Sequence, residues 1–153
     1  MLKERPVKSV EVSVFSHATE DEEKVKHAIK RLFTLEPELE VQKLSGHYGD
    51  PITLLTMKVS ARKESTEILD RIWRRLSSLD RETLNMELDK HVDKSGNLYI
   101  RLNKQKAYNG KIVLQENDPI RIKFNLQIPH KADPILVIRE HLSRIEDKEK
   151  YDQ

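Results

Sequence analysis

Three segments of the chain alternate apolar and polar residues, which is the period of a half-buried β-strand. They are residues 10–14, residues 98–102 and residues 120–128, and the last is the longest and most regular. In each segment every second side chain is Val, Ile, Leu or Phe. We therefore expect these apolar side chains to face the core and the residues between them to lie on the opposite face of a sheet.

Three other segments carry apolar residues at helical spacing, namely residues 22–33, 63–79 and 134–145. The acidic residues that follow Thr19 predict a capping box at the start of the first helix. Asp133, which is followed by proline, predicts the N-cap of the last helix. A further short helix is expected after Asp80.

The remaining apolar segments are short. Residues 39–41 and 52–59 predict a hairpin across a loop that contains two glycines and a proline. Residues 112–114 predict one more strand, and residues 103–111 fit either a short helix or a structured loop. The predicted order is β-α-β-β-α-(α)-β-β-β-α. Because strands and helices do not alternate strictly, this order favours an α+β fold, with a mostly antiparallel mixed sheet and helices packed on one face.

A chain of 153 residues fits one domain, and we expect residues 1–153 to form it with a frayed tail at 146–153. The absence of cysteine excludes disulfides, Cys-ligated zinc and thiol nucleophiles. Apolar runs are too short for a membrane span, so the sequence predicts a cytoplasmic protein without membrane contact. Charged residues are 35% of the chain and glycines number four, a composition typical of thermostable proteins.

The charge is unevenly distributed along the chain. The net charge of the whole is +2, yet residues 94–123 contain seven basic and two acidic residues, a net of +5. A local basic patch is the feature expected of a protein that binds a polyanion.

This segment also holds the best candidate for function, because spaced cations can contact phosphates and flat side chains can stack on unpaired bases. A solvated strand face on a charge-rich protein is the structural alternative. The candidate RNA-binding residues are Tyr99, Arg101, Lys104, Gln105, Lys106, Tyr108, Lys111, Arg121 and Lys123.

The sequence also contains two secondary candidate sites for RNA binding. One is the loop that carries His47 and Tyr48, and the other is the helical group Arg71, Arg74 and Arg75. The structural alternatives are a simple turn and a solvated helix face. No two histidines have metal-pair spacing, and no phosphate loop or nucleophile motif is present, so no metal, cofactor or catalytic residue is predicted.

Three stretches together resemble a small archaeal RNA-binding family described as predicted exosome subunits. They read VSVFSHATEDEEKV at 12–25, GHYGDPI at 46–52 and LYIRLNKQKAYNGK at 98–111. The resemblance implies a fold similar to that of the ribosomal protein that binds 5S rRNA, and a binding role without catalysis. The sequence departs from the family pattern at Lys106, where the family leads us to expect a smaller residue.

The sequence and this resemblance lead to one main hypothesis: a non-catalytic RNA-binding protein associated with the archaeal RNA exosome or the ribosome. The first alternative is a homo-oligomerising protein-interaction module, such as a homodimer, that binds no nucleic acid. The second is an RNA-processing enzyme that uses His47 with an acid such as Asp50.

Overall fold

The structure is a computed structural model that describes residues 5–33, 38–46 and 48–151, with side chains described as far as residue 148. It is an α+β fold. The strands are β1 (Val7–His17), β2 (Glu40–Ser45), β3 (Pro51–Val59), β4 (Asn97–Leu102) and β5 (Ile120–Leu126). The helices are α1 (Glu22–Leu32), α2 (Arg62–Arg75), α3 (Ser78–Met86), α4 (Leu88–His91), α5 (Lys104–Tyr108) and α6 (Pro134–Tyr151).

The strands form an open antiparallel sheet in the order β2-β3-β1-β5-β4 within the described part of the chain. In the hairpin of β2 and β3, Glu40 lies opposite Thr56 and Ser45 lies opposite Pro51. Along β4 and β5 the predicted apolar residues are buried and the residues between them are more accessible. The two-residue alternation of the sequence is therefore confirmed.

The described residues divide into two compact units. Unit 1 contains the residues up to 10, residues 59–100 and the residues from 123 onward. Its core includes Trp73 and Leu69 of α2 and Leu142 of α6, all with no measurable exposure. The indole Nε1 of Trp73 donates a hydrogen bond to Glu146 Oε1 at 3.1 Å, which joins α2 to α6.

A glycine closes the turn before β4 in unit 1. Gly96 has φ +81°, and its amide carbonyl accepts a hydrogen bond from the Leu126 amide at 3.0 Å. A Cβ at this position would lie 2.5 Å from the side chain of Ile128. Both the backbone conformation and the close approach therefore require glycine here.

Unit 2 contains residues 11–58 and 101–122. Its core includes Ile29 of α1 and Leu55 of β3, and an ion pair ties the start of α1 to the hairpin. Lys43 Nζ donates to Glu22 Oε1 and to Thr53 Oγ1, each at 2.9 Å. The Lys43 hydrogen bond, followed by that of Thr53, lowers the pKa of Glu22 to about 2.

Several predicted boundaries differ from the structure. Asp21 caps α1, because its Oδ1 accepts the Glu23 amide at 3.0 Å, whereas Thr19 lies in a turn. Residues 112–114 make a single bridge, from Leu114 to β4, instead of a full strand. The last helix continues to Tyr151, beyond the point where the sequence predicted fraying. The segment 103–111 contains a short helix, α5.

Candidate nucleic-acid interface

Helices α1 and α5 pack together in unit 2 and position most of the candidate site. Val25, Ala28, Ile29 and Leu32 form the buried stripe of α1. Lys24, His27 and Arg31 are spaced three and four residues apart, so they share another, exposed face of the same helix. Asn103 is the N-cap of α5, and its Oδ1 accepts a hydrogen bond from the Lys106 amide. Ala107 of this helix is fully buried.

The exposed face of α1 meets the ring of Tyr108. The His27 imidazole stands edge-on to this ring, with centroids 5.2 Å apart and planes at 60°. Lys24 Nζ lies 5.9 Å from the ring centroid, within the range of a cation–π interaction. These contacts hold the half-buried aromatic ring between the His27 imidazole and the Lys24 ammonium group.

The turn after α5 brings further cations to the same place. Gly110 has φ +80°, and a Cβ there would lie 3.0 Å from a terminal nitrogen of the Arg31 guanidinium. The Lys111 amide donates to the Lys106 carbonyl at 2.8 Å, which closes the turn. Both lysine side chains are exposed, and within the described residues neither ammonium group forms an ion pair.

We name Lys24, His27, Arg31, Lys106, Tyr108 and Lys111 the α1–α5 surface. It combines four permanent cations with the aromatic rings of His27 and Tyr108. This arrangement can contact phosphates and stack on a base.

Lys104 has a different environment from the lysines of this surface. Its side chain is only 12% exposed, and Nζ donates to the Phe15 carbonyl at 2.9 Å. The same ammonium bonds Glu20 Oε1 at 2.9 Å and Asp118 Oδ2 at 2.8 Å. Three oxygens from β1, from the loop before α1 and from the loop before β5 therefore surround this cation, so we expect it to position these segments.

His17 completes the same cluster, since its Nε2 lies 3.0 Å from Asp118 Oδ1. Burial acts to raise the pKa of Asp118, but hydrogen bonds from Lys104 and then His17 outweigh it, and the pKa lies below its usual value. His17, Glu20 and Asp118 could together ligate a metal ion. However, the Lys104 ammonium already bridges the two carboxylates and supplies the positive charge that a metal would bring.

A surface cavity of about 530 Å³ lies beside this cluster. Its lining includes Lys24, Lys104, Gln105 and Tyr108, so the predicted residues Lys104, Gln105 and Tyr108 are brought together here. Gln105 is exposed, and its side chain extends from the short helix α5.

The other primary candidates lie on the strands. Arg101 is half-buried and Arg121 is exposed in unit 2, whereas Tyr99 and Lys123 are half-buried in unit 1. The Tyr99 hydroxyl donates to Asp93 Oδ2 at 3.1 Å. Burial acts to raise the pKa of Asp93, but bonds from Asn97, from this hydroxyl and from the Ser95 amide outweigh it and lower the pKa. The hydroxyl of Tyr99 thus helps to fix the turn before β4.

The secondary candidates are distributed as follows. His47 lies outside the described residues, and Tyr48 is exposed. On α2 of unit 1, Arg71 and Arg74 are half-buried and Arg75 is exposed. Burial, and then the nearby charge of Arg75, lowers the pKa of Arg71. The three arginines are therefore not equivalent solvated cations of one helix face.

Sequence reasoning missed Lys24, His27 and Arg31. Their spacing on the polar face of α1 was a signal, because residues three and four apart on a helix are neighbours. What the sequence could not supply was the packing of α5 against that face. Only this contact makes the three residues part of the same surface as Tyr108.

The class of protein that the fold defines is α+β, with an open sheet and the α1–α5 surface on two of its helices. A family model described as RNA binding matches residues 9–126. The chain belongs to this RNA-binding family.

Relatives and solved structures agree with that assignment. The chain is 32% identical over 142 residues to RNA-binding protein PAB1135 of Pyrococcus abyssi, covering 88% of this chain and 92% of that protein. Its fold is similar to the crystal structure of protein AF2318 from Archaeglobus fulgidus, a DUF54 protein, with TM-score 0.78, 34% identity and coverage of 88% and 98%. Mth689, a DUF54 protein of Methanothermobacter thermautotrophicus, gives TM-score 0.75 at 26% identity, covering 92% and 98%.

Within the described part of the chain, no helix is both long and apolar enough to cross a bilayer.

Proposed function

We propose that this protein is a non-catalytic RNA-binding protein that contacts the RNA backbone through the α1–α5 surface. The observation that carries the proposal is the packing of α1 against residues 106–111, which places Lys24 over the Tyr108 ring and Arg31 beside Gly110. Membership of the RNA-binding family and the name of the Pyrococcus relative support the choice of RNA as the polyanion.

The roles differ within the set of residues that the sequence suggested. Lys106 and Lys111 contact phosphates, because their ammonium groups are exposed. Tyr108 offers a ring to a base. Lys104 acts as a positioning residue, because its ammonium already bonds three oxygens. Arg101, Arg121, Tyr99 and Lys123 remain candidate contacts on the strands.

The proposal is tested by reversing the charge of the exposed cations. Four phosphate contacts give a log–log salt slope of about −2.8 on single-stranded RNA, since each contributes about −0.7. In the double variant Lys106→Glu and Lys111→Glu we expect the slope to become shallower by about 1.4. The loss of affinity should be the same for RNAs of different sequence, because phosphates carry no sequence information.

The matched control is the double variant Lys8→Glu and Lys63→Glu, which changes the net charge equally at two exposed positions of unit 1. Fluorescence anisotropy at several salt concentrations measures the slope for each protein. If both double variants lose the same affinity and slope, only net charge matters and the α1–α5 surface is not the contact. If the unmodified protein binds no RNA, the proposed function fails.

Association with the RNA exosome or the ribosome is a further proposal that rests on the sequence resemblance described above. Affinity purification from archaeal cells, with and without nuclease, tests it. Recovery of subunits of either assembly that survives nuclease treatment would support direct association, and recovery of neither would contradict it.

A second candidate function is self-association, and the exposed apolar residues of α3 favour it. Leu79 is 71% exposed and Met86 is 77% exposed, and they lie seven residues apart on one face of this helix. Burying this face between two copies would remove apolar surface from water. Light scattering over a range of concentrations, compared with a Met86→Glu variant, distinguishes a dimer from a monomer.

A further inference from the structure

The lining of the cavity beside α5 includes five side-chain amides. They are Asn103, Gln105, Asn109, Gln115 and Asn117. Each amide carries both a donor group and an acceptor oxygen, which is the combination that the edge of a nucleobase also presents. A volume of about 530 Å³ is within the range of small-molecule sites and is ample for one base.

Two of these amides are already held in place. Asn103 Oδ1 accepts the Lys106 amide at 2.9 Å, and its Nδ2 donates to Gln115 Oε1 at 3.4 Å. The side chains of Gln105, Asn109 and Asn117 form no hydrogen bond with another described residue. The cavity therefore has a fixed wall and three amides available to a ligand.

The charge of the lining argues against a phosphate inside the cavity. Glu20, Asp21 and Asp118 contribute three carboxylates, whereas Lys24 and Lys104 contribute two cations. Lys104 is also bonded to Glu20 and Asp118, so its charge is offset locally. A phosphate would meet net negative charge here, while the amino group of a neutral base would find acceptors.

Tyr108 adds a flat wall to the same cavity. The edge contact with His27 and the position of Lys24 over the ring limit its motion. A base that stacks on such a ring gains about 1–3 kcal/mol in other RNA-binding proteins. Lys24 also belongs to the phosphate-contacting surface, so the cavity opens where the backbone of a bound RNA would run.

We propose that this cavity binds one unpaired RNA base, and that it prefers adenine, cytosine or guanine over uracil. Adenine, cytosine and guanine each carry an exocyclic amino group, which can donate a hydrogen bond to a carboxylate of the lining. Uracil has no amino group and cannot make this bond. The proposal rests on the RNA-binding function proposed above and adds a subsite to it. It makes the protein a reader of bulges, loops or ends, where bases are free of pairing.

The test compares two hairpin RNAs that differ by one bulged adenine. We expect the bulged hairpin to bind about tenfold more tightly, which corresponds to about 1.4 kcal/mol. A bulged uracil should gain less than a bulged adenine, cytosine or guanine. When 2-aminopurine replaces the bulged base, its fluorescence should fall on binding because it stacks on Tyr108.

The variants Asn109→Ala and Asn117→Ala should reduce the affinity for the bulged hairpin toward that for the paired hairpin, and leave the affinity for the paired hairpin unchanged. Gln42→Ala, which removes an exposed amide from β2, is the matched control and should change neither. Thermal melting of each variant verifies that it is folded.

Equal binding of bulged and paired hairpins would overturn the base pocket and leave the proposed function intact, provided that both bind with the expected salt slope. An unchanged bulge preference in both variants would overturn it as well. Equal gains for all four bulged bases would overturn the preference for amino groups. Absence of binding to either hairpin would instead contradict the RNA-binding function itself.

Discussion

Replacing Lys104 with methionine tests whether this residue positions the site. The substitution keeps the apolar part of the side chain and removes the ammonium that bonds Phe15, Glu20 and Asp118. The two carboxylates then face each other without the ammonium between them, and an oxygen of Glu20 lies within 4.8 Å of an oxygen of Asp118.

The magnitude follows from the geometry and from the partial exposure of the acids. Two like charges about 5 Å apart repel by roughly 3 kcal/mol at an effective dielectric constant of 20 and by roughly 1 kcal/mol in water. Losing one partner of a buried ion pair costs about 3–5 kcal/mol. Because the side chains of Glu20 and Asp118 are 29% and 44% exposed, we expect a smaller loss than for a buried pair, about 2–3 kcal/mol.

The measurement is urea unfolding followed by circular dichroism, with Lys111→Met as the control. Lys111 is exposed and, within the described residues, unpaired, so its replacement should change the free energy of unfolding by less than about 0.5 kcal/mol. Adding Asp118→Asn to Lys104→Met should restore part of the lost stability, because it removes one of the two repelling charges.

The variant should also change how the free energy of unfolding depends on pH. The pKa of Asp118 is lowered in the folded protein, so its contribution to stability is present above its ordinary value of 3.8 and is lost as the pH falls through the folded value. In Lys104→Met the carboxyl loses its main cation, and protonation should instead relieve repulsion. The finding that Lys104→Met and Lys111→Met are equally stable would refute the positioning role.

Two further predictions concern stability in each unit. The pKa of Glu22 lies at about 2, below the ordinary 4.5, so the stability that this group contributes is present above pH 4.5 and is lost between pH 4.5 and 2. Lys43→Met should flatten this loss in urea titrations, and an unchanged acid profile would contradict the pairing. Gly96→Ala should cost about 2–3 kcal/mol in urea unfolding, because a Cβ would lie 2.5 Å from Ile128 at φ +81°. Gly49→Ala, at the same φ with open space, should cost only about 1 kcal/mol, and equal costs would contradict the steric argument.

The periodic elements could be predicted because their signal is local. In β4 and β5 the alternation of side chains decides which face is buried, and no distant contact is needed to read it. The first residue of α1 is harder to predict, because the side chains of Thr19 and Asp21 can both accept a hydrogen bond from a backbone amide. In the structure this hydrogen bond is made by Asp21, which is nearer to the first buried residue of the helix, Val25.

The candidate site could be predicted only in part, because a charge count along the chain treats all lysines alike. Residues 94–123 carry a net charge of +5, but Lys104 within them is offset by two carboxylates, of which Glu20 lies far outside that segment. The structure adds Lys24 and Arg31, which the count omits because they belong to α1. The cationic surface is therefore a product of how α1 packs on α5. Its salt dependence should follow the four exposed cations named above and not the charge of the segment.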